Sequence, residues 1–251
     1  MRQAGDVISI DDAVRAFGVS RAVAAKLMSR WTSQRWLRRV GSGVYVSAEL
    51  QSLGSDQVLD DPWVLVPTLF APGYVGGRSA AEHWDLTEQI FRDIVVVTSR
   101  PVRRKSVFRH GAQFTLKHID EDRQFGTKVV WRHNTKVSVS DVPRTIADIF
   151  DDPAMGGGVE HVSDCFSRYL RHPNRDDAKL MTYAMRLNSG ALFKRLGFLA
   201  ERSVEARDLA AQCRLYLTKG TAKLDPALTC DRLITRWRLW VPNSWVPVKR
   251  T

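Results

Sequence analysis

The sequence has little cysteine and no long apolar run. Its three cysteines, Cys165, Cys213 and Cys230, are odd in number, widely spaced and never part of a C-x-x-C pair. This argues against a disulfide framework and against a zinc ribbon. No stretch approaches the roughly 18 apolar residues that a membrane span needs, and no signal peptide is visible. We therefore expect a reduced, cytoplasmic protein without a membrane partner.

Motifs of enzymes and metal sites are also missing. The histidines form neither H-x-x-x-H nor H-x-E. A restriction-type nuclease would place acidic residues and a lysine on adjacent strands, and no such pair falls on a predicted strand. The run Gly156–Gly158 lacks the lysine of a phosphate loop, and no Ser or Cys lies in a nucleophile elbow. We expect no catalytic residues, no metal and no cofactor.

Positive charge is abundant. The 251 residues carry a formal net charge of +11, and 44% of them are hydrophobic. That apolar content is enough for a globular core. A surplus of this size is typical of a protein that contacts an anionic partner such as nucleic acid.

The first residues predict two consecutive helices. Ser9 can cap a helix over Ile10–Phe17, with Asp12 completing a capping box, and Gly18 ends it. Ser20 can then cap a longer helix. Its apolar residues recur at helical spacing and predict its buried face, which consists of Val23, Leu27 and Trp31.

A basic β-hairpin is predicted after the second helix, from Leu37 to Val46 around Gly41-Ser42-Gly43. Two helices joined by a tight turn and followed by a hairpin are typical of a winged helix-turn-helix. No acidic residue interrupts the cations of this stretch, which are Arg21, Lys26, Arg30, Arg35, Arg38 and Arg39. We therefore predict that this segment binds double-stranded DNA.

The candidate DNA-binding residues divide by position. The N-terminal end of a recognition helix usually reaches the bases, so Arg21, Ala22 and Ala25 are candidates for base contacts. The remaining candidates suit the phosphates or line the same surface, and these are Ser20, Lys26, Ser29, Arg30, Arg38, Arg39 and Ser42.

A second basic run has no acidic residue between Asp93 and Asp120. Its candidate surface residues are Arg100, Arg103, Arg104, Lys105 and Arg109. Three interpretations stay open: a second contact to the DNA backbone, a surface for an acidic protein, or a solvated loop. The closing tryptophans Trp237, Trp240 and Trp245 predict core or interface packing.

The rest of the chain predicts a larger α+β body. Short strands are expected at 93–98, 112–116, 128–132 and 136–139, and helices at 80–84 (capped by Ser79), 140–150, 159–170, 176–188, 192–199 and 204–217. The fold class is therefore α+β, with a winged helix-turn-helix in residues 1–60 and a body over 61–251 whose C-terminal part is mostly helical. A further boundary is expected near residue 150.

Several motifs follow the predicted winged helix in a defined order. The first two are Gly76–Thr87 (GGRSAAEHWDLT) and Val139–Asp148 (VSDVPRTIAD). After them come Pro153 with Gly156–Gly158, Arg195–Leu199 (RLGFL), Leu224-Asp225-Pro226 and Arg236-Trp237. This order resembles the AbiEi antitoxins of type IV toxin–antitoxin systems. Members often carry a helix before the one at Ile10, and the few residues that precede it here predict that this helix is short or missing.

The resemblance implies a transcriptional autorepressor that binds inverted repeats in its own promoter. It also implies a neighbouring nucleotidyltransferase-like toxin, which the antitoxin counteracts without forming a stable complex, in abortive infection against phage. Three alternatives remain: a stand-alone transcriptional repressor, a nuclease guided by a winged helix, and a protein that binds the toxin directly through its C-terminal helices.

Overall fold

The structure is a computed structural model that describes residues 7–41, 43–47 and 61–246. The fold is mixed α+β, as the sequence predicts. By internal contacts the chain forms two compact units. The first consists of residues 1–75 and 92–139, and the second of residues 76–91 and 140–251. The predicted boundary at residue 60 falls outside the described residues.

The N-terminal part of the first unit contains two helices and three strands. They are β1 (Val7–Ser9), α1 (Ile10–Phe17), α2 (Arg21–Ser33), β2 (Leu37–Gly41) and β3 (Val44–Ser47). The strands form an antiparallel sheet in the order β1-β3-β2. Thus a short strand, which the sequence does not predict, precedes α1.

The remainder of the first unit is a six-stranded sheet. After α3 (Val66–Leu69), its strands are β4 (Gly73–Val75), β5 (Asp93–Thr98), β6 (Ser106–Arg109), β7 (Ala112–His118), β8 (Thr127–Arg132) and β9 (Thr135–Ser140). Their order is β6-β7-β5-β4-β9-β8. Central β5 pairs parallel with β7 and antiparallel with β4, and its run of apolar residues is buried, as expected for a central strand.

The second unit is mostly helical. Its helices are α4 (Gly77–His83), α5 (Val142–Asp151), α6 (Val159–Tyr169), α7 (Asp177–Leu187), α8 (Gly190–Ala200) and α9 (Arg207–Leu215). A small sheet of β10 (Ala222–Lys223), β11 (Arg232–Ile234) and β12 (Leu239–Val241) follows. None of the helices in the described ranges is long and apolar enough to cross a membrane.

Long-range polar contacts fix the second unit. The buried carboxylate of Asp225 accepts the backbone N–H of Val159 at 2.9 Å and so caps α6 from 66 residues away. The guanidinium of Arg195 donates to the carbonyls of Phe150, Asp151 and Lys223. Each contact satisfies a backbone group that would be costly to bury unpaired.

Two sequence predictions about helix ends are wrong. The helix expected to begin after a Ser79 cap begins at Gly77, with Gly76 as its N-cap, and Ser79 is buried in the first turn. The helix expected over 204–217 starts as a 3₁₀ turn, and the α-helix begins at Arg207.

Candidate nucleic-acid interface

The N-terminal segment, residues 7–47, has a hydrophobic core of its own. Ala13 of α1, Ala24 and Met28 of α2, Leu37 of β2 and Tyr45 of β3 form it. Five partly buried apolar residues pack against this cluster, namely Ile8, Ile10, Val14, Val19 and Trp31. Because both helices and the hairpin contribute, the core fixes how α2 lies against the hairpin.

The cap signals of α1 are confirmed. Ser9 Oγ accepts from the Asp12 backbone, and the Asp12 carboxylate accepts from the Ser9 backbone at 2.8 Å, which completes the predicted capping box. Gly18 ends the helix in the left-handed conformation at φ 63°. A short turn then leads to Ser20, whose Oγ accepts from the backbone N–H of Val23. Ser20 therefore caps α2 in this fold.

The predicted apolar face of α2 is partly wrong. Val23 is 45% exposed, and the fully buried residues are Ala24 and Met28. Leu27 and Trp31 are half-buried. The buried face of α2 is therefore shifted by about one residue from the predicted face of Val23, Leu27 and Trp31, and the small side chain of Ala24 packs in the core.

The outer face of α2 carries the candidate DNA-binding side chains. Ala22, Lys26, Ser29 and Arg30 are exposed on it, and Ala25 is half-buried at its edge. Two flexible cations thus lie beside small residues, an arrangement that allows close approach to a groove.

Arg21 lies in a different setting from the other cations. Its guanidinium forms an exposed ion pair with Asp11 in the first turn of α1. Arg15 pairs with Asp12 in the same way. The Asp11 carboxylate therefore lies beside Arg21, whereas the Asp12 carboxylate is held by Ser9 and Arg15.

The β2–β3 hairpin presents Arg38 and Arg39. Arg39 is exposed, and its Nε donates to the carbonyl of Gly41 at 3.0 Å. The strand register shifts between Arg39 and Gly41, which re-aims this end of the hairpin. Ser42, predicted to contact a phosphate, lies outside the described residues.

The structure brings the two predicted basic surfaces close together. Burial, followed by the charges of Arg38 and Arg109, lowers the pKa of His110 at the β6–β7 turn. Arg38 of the first surface and Arg109 of the second therefore act on the same imidazole. Sequence reasoning missed this proximity because these residues are far apart along the chain and carry no shared motif.

The other cations of the second surface lie between β5 and β6. Arg103, Arg104 and Lys105 are exposed in the connecting loop. Arg100 is anchored by a hydrogen bond from its Nη1 to the carbonyl of Leu69 at 3.1 Å. The surface is solvent-accessible, which is compatible with all three predicted interpretations.

The second unit holds its conspicuous titratable groups in structural roles. The fully buried Arg144 donates through Nε to Asp148 at 2.8 Å. Asp141 caps α5 and contacts both Lys179 and Tyr183. The sequence did not predict this cluster, because charged residues four positions apart, such as Arg144 and Asp148, are equally expected on the solvent-exposed face of a helix.

A cysteine and a histidine also meet in the second unit. Cys165 Sγ lies 3.6 Å from His161 Nδ1. Burial, with a contribution from Asp164, raises the pKa of the Cys165 thiol to about 12. The thiol therefore stays protonated at neutral pH and is a poor nucleophile. Within residues 7–41, 43–47 and 61–246, no group of three or more His, Cys, Asp or Glu side chains is placed to hold a metal.

Comparison with solved structures supports the fold. The chain is similar to the crystal structure of the RV2827C protein from Mycobacterium tuberculosis, with a TM-score of 0.62 over 96% of this chain and 87% of that chain. The sequence identity is 13%, so this likeness shows the fold alone. No protein-family model matches the chain, and no curated protein matches it in sequence.

Proposed function

We propose that residues 7–47 form a winged helix-turn-helix that binds duplex DNA, with α2 in the major groove and the β2–β3 hairpin as its wing. The observation that carries the proposal is the outer face of α2, where Lys26 and Arg30 are exposed beside Ala22 and Ser29. The helix is held there by a core to which both helices and the hairpin contribute.

In this proposal some cations contact the DNA phosphates and position the protein, and Arg21 contacts the bases and contributes sequence specificity. Lys26, Arg30, Arg38 and Arg39 contact phosphates and release counterions, which makes binding depend on salt. Arg21, at the start of α2, reaches the base edges once the Asp11 carboxylate releases or orients it.

In this proposal the protein is a cytoplasmic autorepressor and the antitoxin of a type IV system. It occupies inverted repeats upstream of its own two-gene operon and excludes polymerase. It neutralises a nucleotidyltransferase-like toxin encoded next to it without a stable complex. The resemblance in motif order to the AbiEi antitoxins supports this part, and the mixed α+β fold is compatible with it.

A gel-shift titration tests DNA binding. The probes are the DNA upstream of the gene and a shuffled duplex of the same composition, each at two salt concentrations. We expect specific retardation that survives the higher salt. The double variant Lys26→Glu/Arg30→Glu is expected to lose it, whereas Arg207→Glu, an exposed charge reversal in the second unit, is expected to keep it.

Equal retardation of both probes that disappears with salt would contradict specific binding.

Co-expression with the neighbouring gene tests the antitoxin role. We expect Lys26→Glu/Arg30→Glu to rescue growth as well as the parent does, because the antitoxic activity is assigned to the larger body. Loss of rescue in a variant that keeps its circular dichroism spectrum would refute this division.

A further inference from the structure

The second unit contains a cleft between α6 and the segment that joins α8 to α9. Its volume is about 290 Å³, close to the lower end of the roughly 300–1,000 Å³ that is typical of small-molecule sites. Every residue that lines it belongs to the second unit. The chemistry of the cleft can therefore be derived from one compact body.

Arg175 joins the two walls of this cleft. Its guanidinium donates to the carbonyl of Leu170, at the end of α6, at 2.9 Å, and to the carbonyl of Glu205, on the opposite wall, at 2.8 Å. The Asp177 carboxylate accepts from the same guanidinium at 2.6–3.2 Å. The cleft is thus preformed, and a ligand does not have to order its walls. Arg175 also offsets the partial negative charge at the C-terminal end of α6, which would otherwise oppose an anion.

Two arginines that line the cleft are not used in ion pairs. Among the residues that the structure describes, no carboxylate pairs with Arg171 or Arg202. The carboxylate next to Arg202 along the chain, that of Glu201, is engaged by Arg214 and Arg236 instead. Two guanidinium groups therefore line one cleft with their charges uncompensated, which favours an anionic ligand.

Aromatic rings hold the Arg202 guanidinium in place. It lies over the rings of Phe198 and Trp245, 5.1 and 5.2 Å from their centres. Its one hydrogen bond to the described residues is long, 3.5 Å to the carbonyl of Trp245. An arginine that stacks on aromatic faces keeps its N–H donors for a phosphate. The position of Arg202 is therefore fixed before an anion binds.

Hydroxyl groups and one carboxylate complete the polar lining. Ser167 Oγ donates to the backbone carbonyl of Ser163 at 2.9 Å, whereas the hydroxyls of Ser163 and Ser203 have no hydrogen-bond partner within the described ranges. These hydroxyls can donate to the oxygens of a phosphate. Glu205 only accepts hydrogen bonds and would repel a bare anion, so the ligand must also present N–H or O–H groups.

The remaining lining is apolar. Phe166, Leu170 and Leu199 are almost fully buried and contribute to the wall of the cleft. A ligand with a flat, partly apolar body can cover this part of the lining. We propose that the cleft binds a nucleoside monophosphate, with its phosphate on Arg171 and Arg202 and its base against the three apolar side chains.

Other small anions match fewer features of the cleft. Inorganic phosphate would leave the apolar lining uncovered and would bring no donor to Glu205. An aromatic carboxylate would cover the apolar lining but has only two oxygens for the guanidinium and hydroxyl donors. The hydroxyl and amino groups of a nucleoside supply the donors that Glu205 requires. This inference goes beyond the proposed function and does not depend on DNA binding.

Isothermal titration calorimetry of the full chain tests the ligand class. The probes are the 5′-monophosphates of adenosine, guanosine, cytidine and uridine, the four unphosphorylated nucleosides, and inorganic phosphate. We expect saturable binding of at least one monophosphate, at least about tenfold tighter than its nucleoside or inorganic phosphate. Equal affinity for inorganic phosphate, or no binding of any monophosphate at millimolar concentration, would overturn the proposal.

Removal of one cation tests where the phosphate binds. Arg171 makes no side-chain contact that holds the fold, so Arg171→Ala is expected to remain folded and to bind the monophosphate at least about tenfold more weakly. The control is Lys219→Ala, which removes an exposed cation of the same unit that does not line the cleft. An unchanged affinity in Arg171→Ala, or an equal loss in Lys219→Ala, would overturn the proposal.

Filling the cleft tests its shape without changing its charge. Ser163→Trp is expected to abolish binding, whereas Thr182→Trp, at an exposed position on α7 outside the cleft, is expected to bind as the parent does. Circular dichroism checks that both variants fold. Retained affinity in a folded Ser163→Trp would overturn the proposal.

Two competing occupants are tested with the same method. Salicylate that binds more tightly than every monophosphate would assign the cleft to aromatic carboxylates and overturn the proposal. Monophosphate binding that is seen only in a chain shortened to end at Val246 would also overturn it, because the cleft would then not be accessible in the full chain. None of these measurements uses DNA, so their failure is distinguishable from failure of the proposed function.

Discussion

The N-terminal segment and the second unit use their cations in opposite ways. In residues 7–47, Lys26, Arg30 and Arg39 are exposed to solvent. In the second unit, Arg144 and Arg195 are buried and donate to a carboxylate and to backbone carbonyls. The net charge of +11 therefore includes two kinds of cation. The exposed ones are accessible to a partner, and the buried ones stabilise the fold. Burial, and not composition, separates the two kinds.

The largest predicted effect is on the buried ion pair. Arg144→Ala removes the guanidinium that donates to buried Asp148 and is expected to lower the free energy of unfolding by about 3–5 kcal/mol. The control is Arg168→Ala, which breaks the solvent-exposed pair with Glu88 and is expected to leave the free energy of unfolding nearly unchanged. Urea denaturation measures both. Equal losses would mean that burial does not distinguish the two pairs.

A smaller loss is expected from packing in the second unit. A Cβ added at Gly197 of α8 would overlap the ring of Trp237 and lie 2.9 Å from the Cβ of Cys213. Gly197→Ala is expected to cost about 1–3 kcal/mol by thermal unfolding. At Gly220 an added Cβ meets nothing within 4 Å, so Gly220→Ala serves as the control. An unchanged melting temperature in Gly197→Ala would show that Trp237 can move aside.

The capping box gives a pH-dependent prediction for the N-terminal segment. Burial opposes ionisation of Asp12, but hydrogen bonds from Ser9 and the pairing with Arg15 lower its pKa below the ordinary 3.8. This stabilisation is therefore complete above about pH 3.8 and is lost as the pH falls through the folded-state pKa.

Asp12→Ala is accordingly expected to cost about 1 kcal/mol at pH 7. The difference from the parent should shrink in acid, as followed by denaturation at a series of pH values. The neighbouring exposed Asp11→Ala is expected to change stability by less than about 0.5 kcal/mol. A penalty that is constant down to the lowest pH would show that the cap does not depend on the carboxylate charge.

The smallest effect on stability is expected at the hairpin. Arg39→Ala removes an exposed cation and should leave the unfolding free energy within about 0.5 kcal/mol of the parent. Its effect belongs to DNA affinity, which we expect to weaken for all sequences alike, with a salt slope smaller by about one. A change in sequence preference would instead mean that the hairpin reads bases.

The sequence predicts those elements whose signals are local. The bounds of α1, its capping box and β5 are confirmed, because a cap residue or an unbroken apolar run specifies each of them. The strands β1, β4 and β6 were missed. β1 and β4 have three residues each and pair with the more distant strands β3 and β5. β6 pairs with β7 directly after it, but its four residues are mostly exposed and show no buried apolar face.

The candidate site shows the same division. The start of α2 and its exposed cations follow from the Ser20 cap and from charge. Its buried face does not, because hydrophobicity alone favours Val23 over Ala24. The effect of the Arg38 charge on the pKa of His110 arises from tertiary structure and has no local signal. The buried pair of Arg144 and Asp148 is equally invisible, since nothing in its spacing marks it as internal.

The cap that Asp225 provides to α6 has a consequence for synthesis on the ribosome. The N-terminal segment can assemble its own core once residue 47 has left the exit tunnel, since domains generally fold in order of emergence. Helix α6 leaves the exit tunnel before Asp225 does. The backbone N–H of Val159, the first residue of α6, therefore has no Asp225 carboxylate to donate to until 66 more residues have been added. The nascent chain would therefore hold a completed N-terminal segment for some time while the second unit still lacks the residue that closes it.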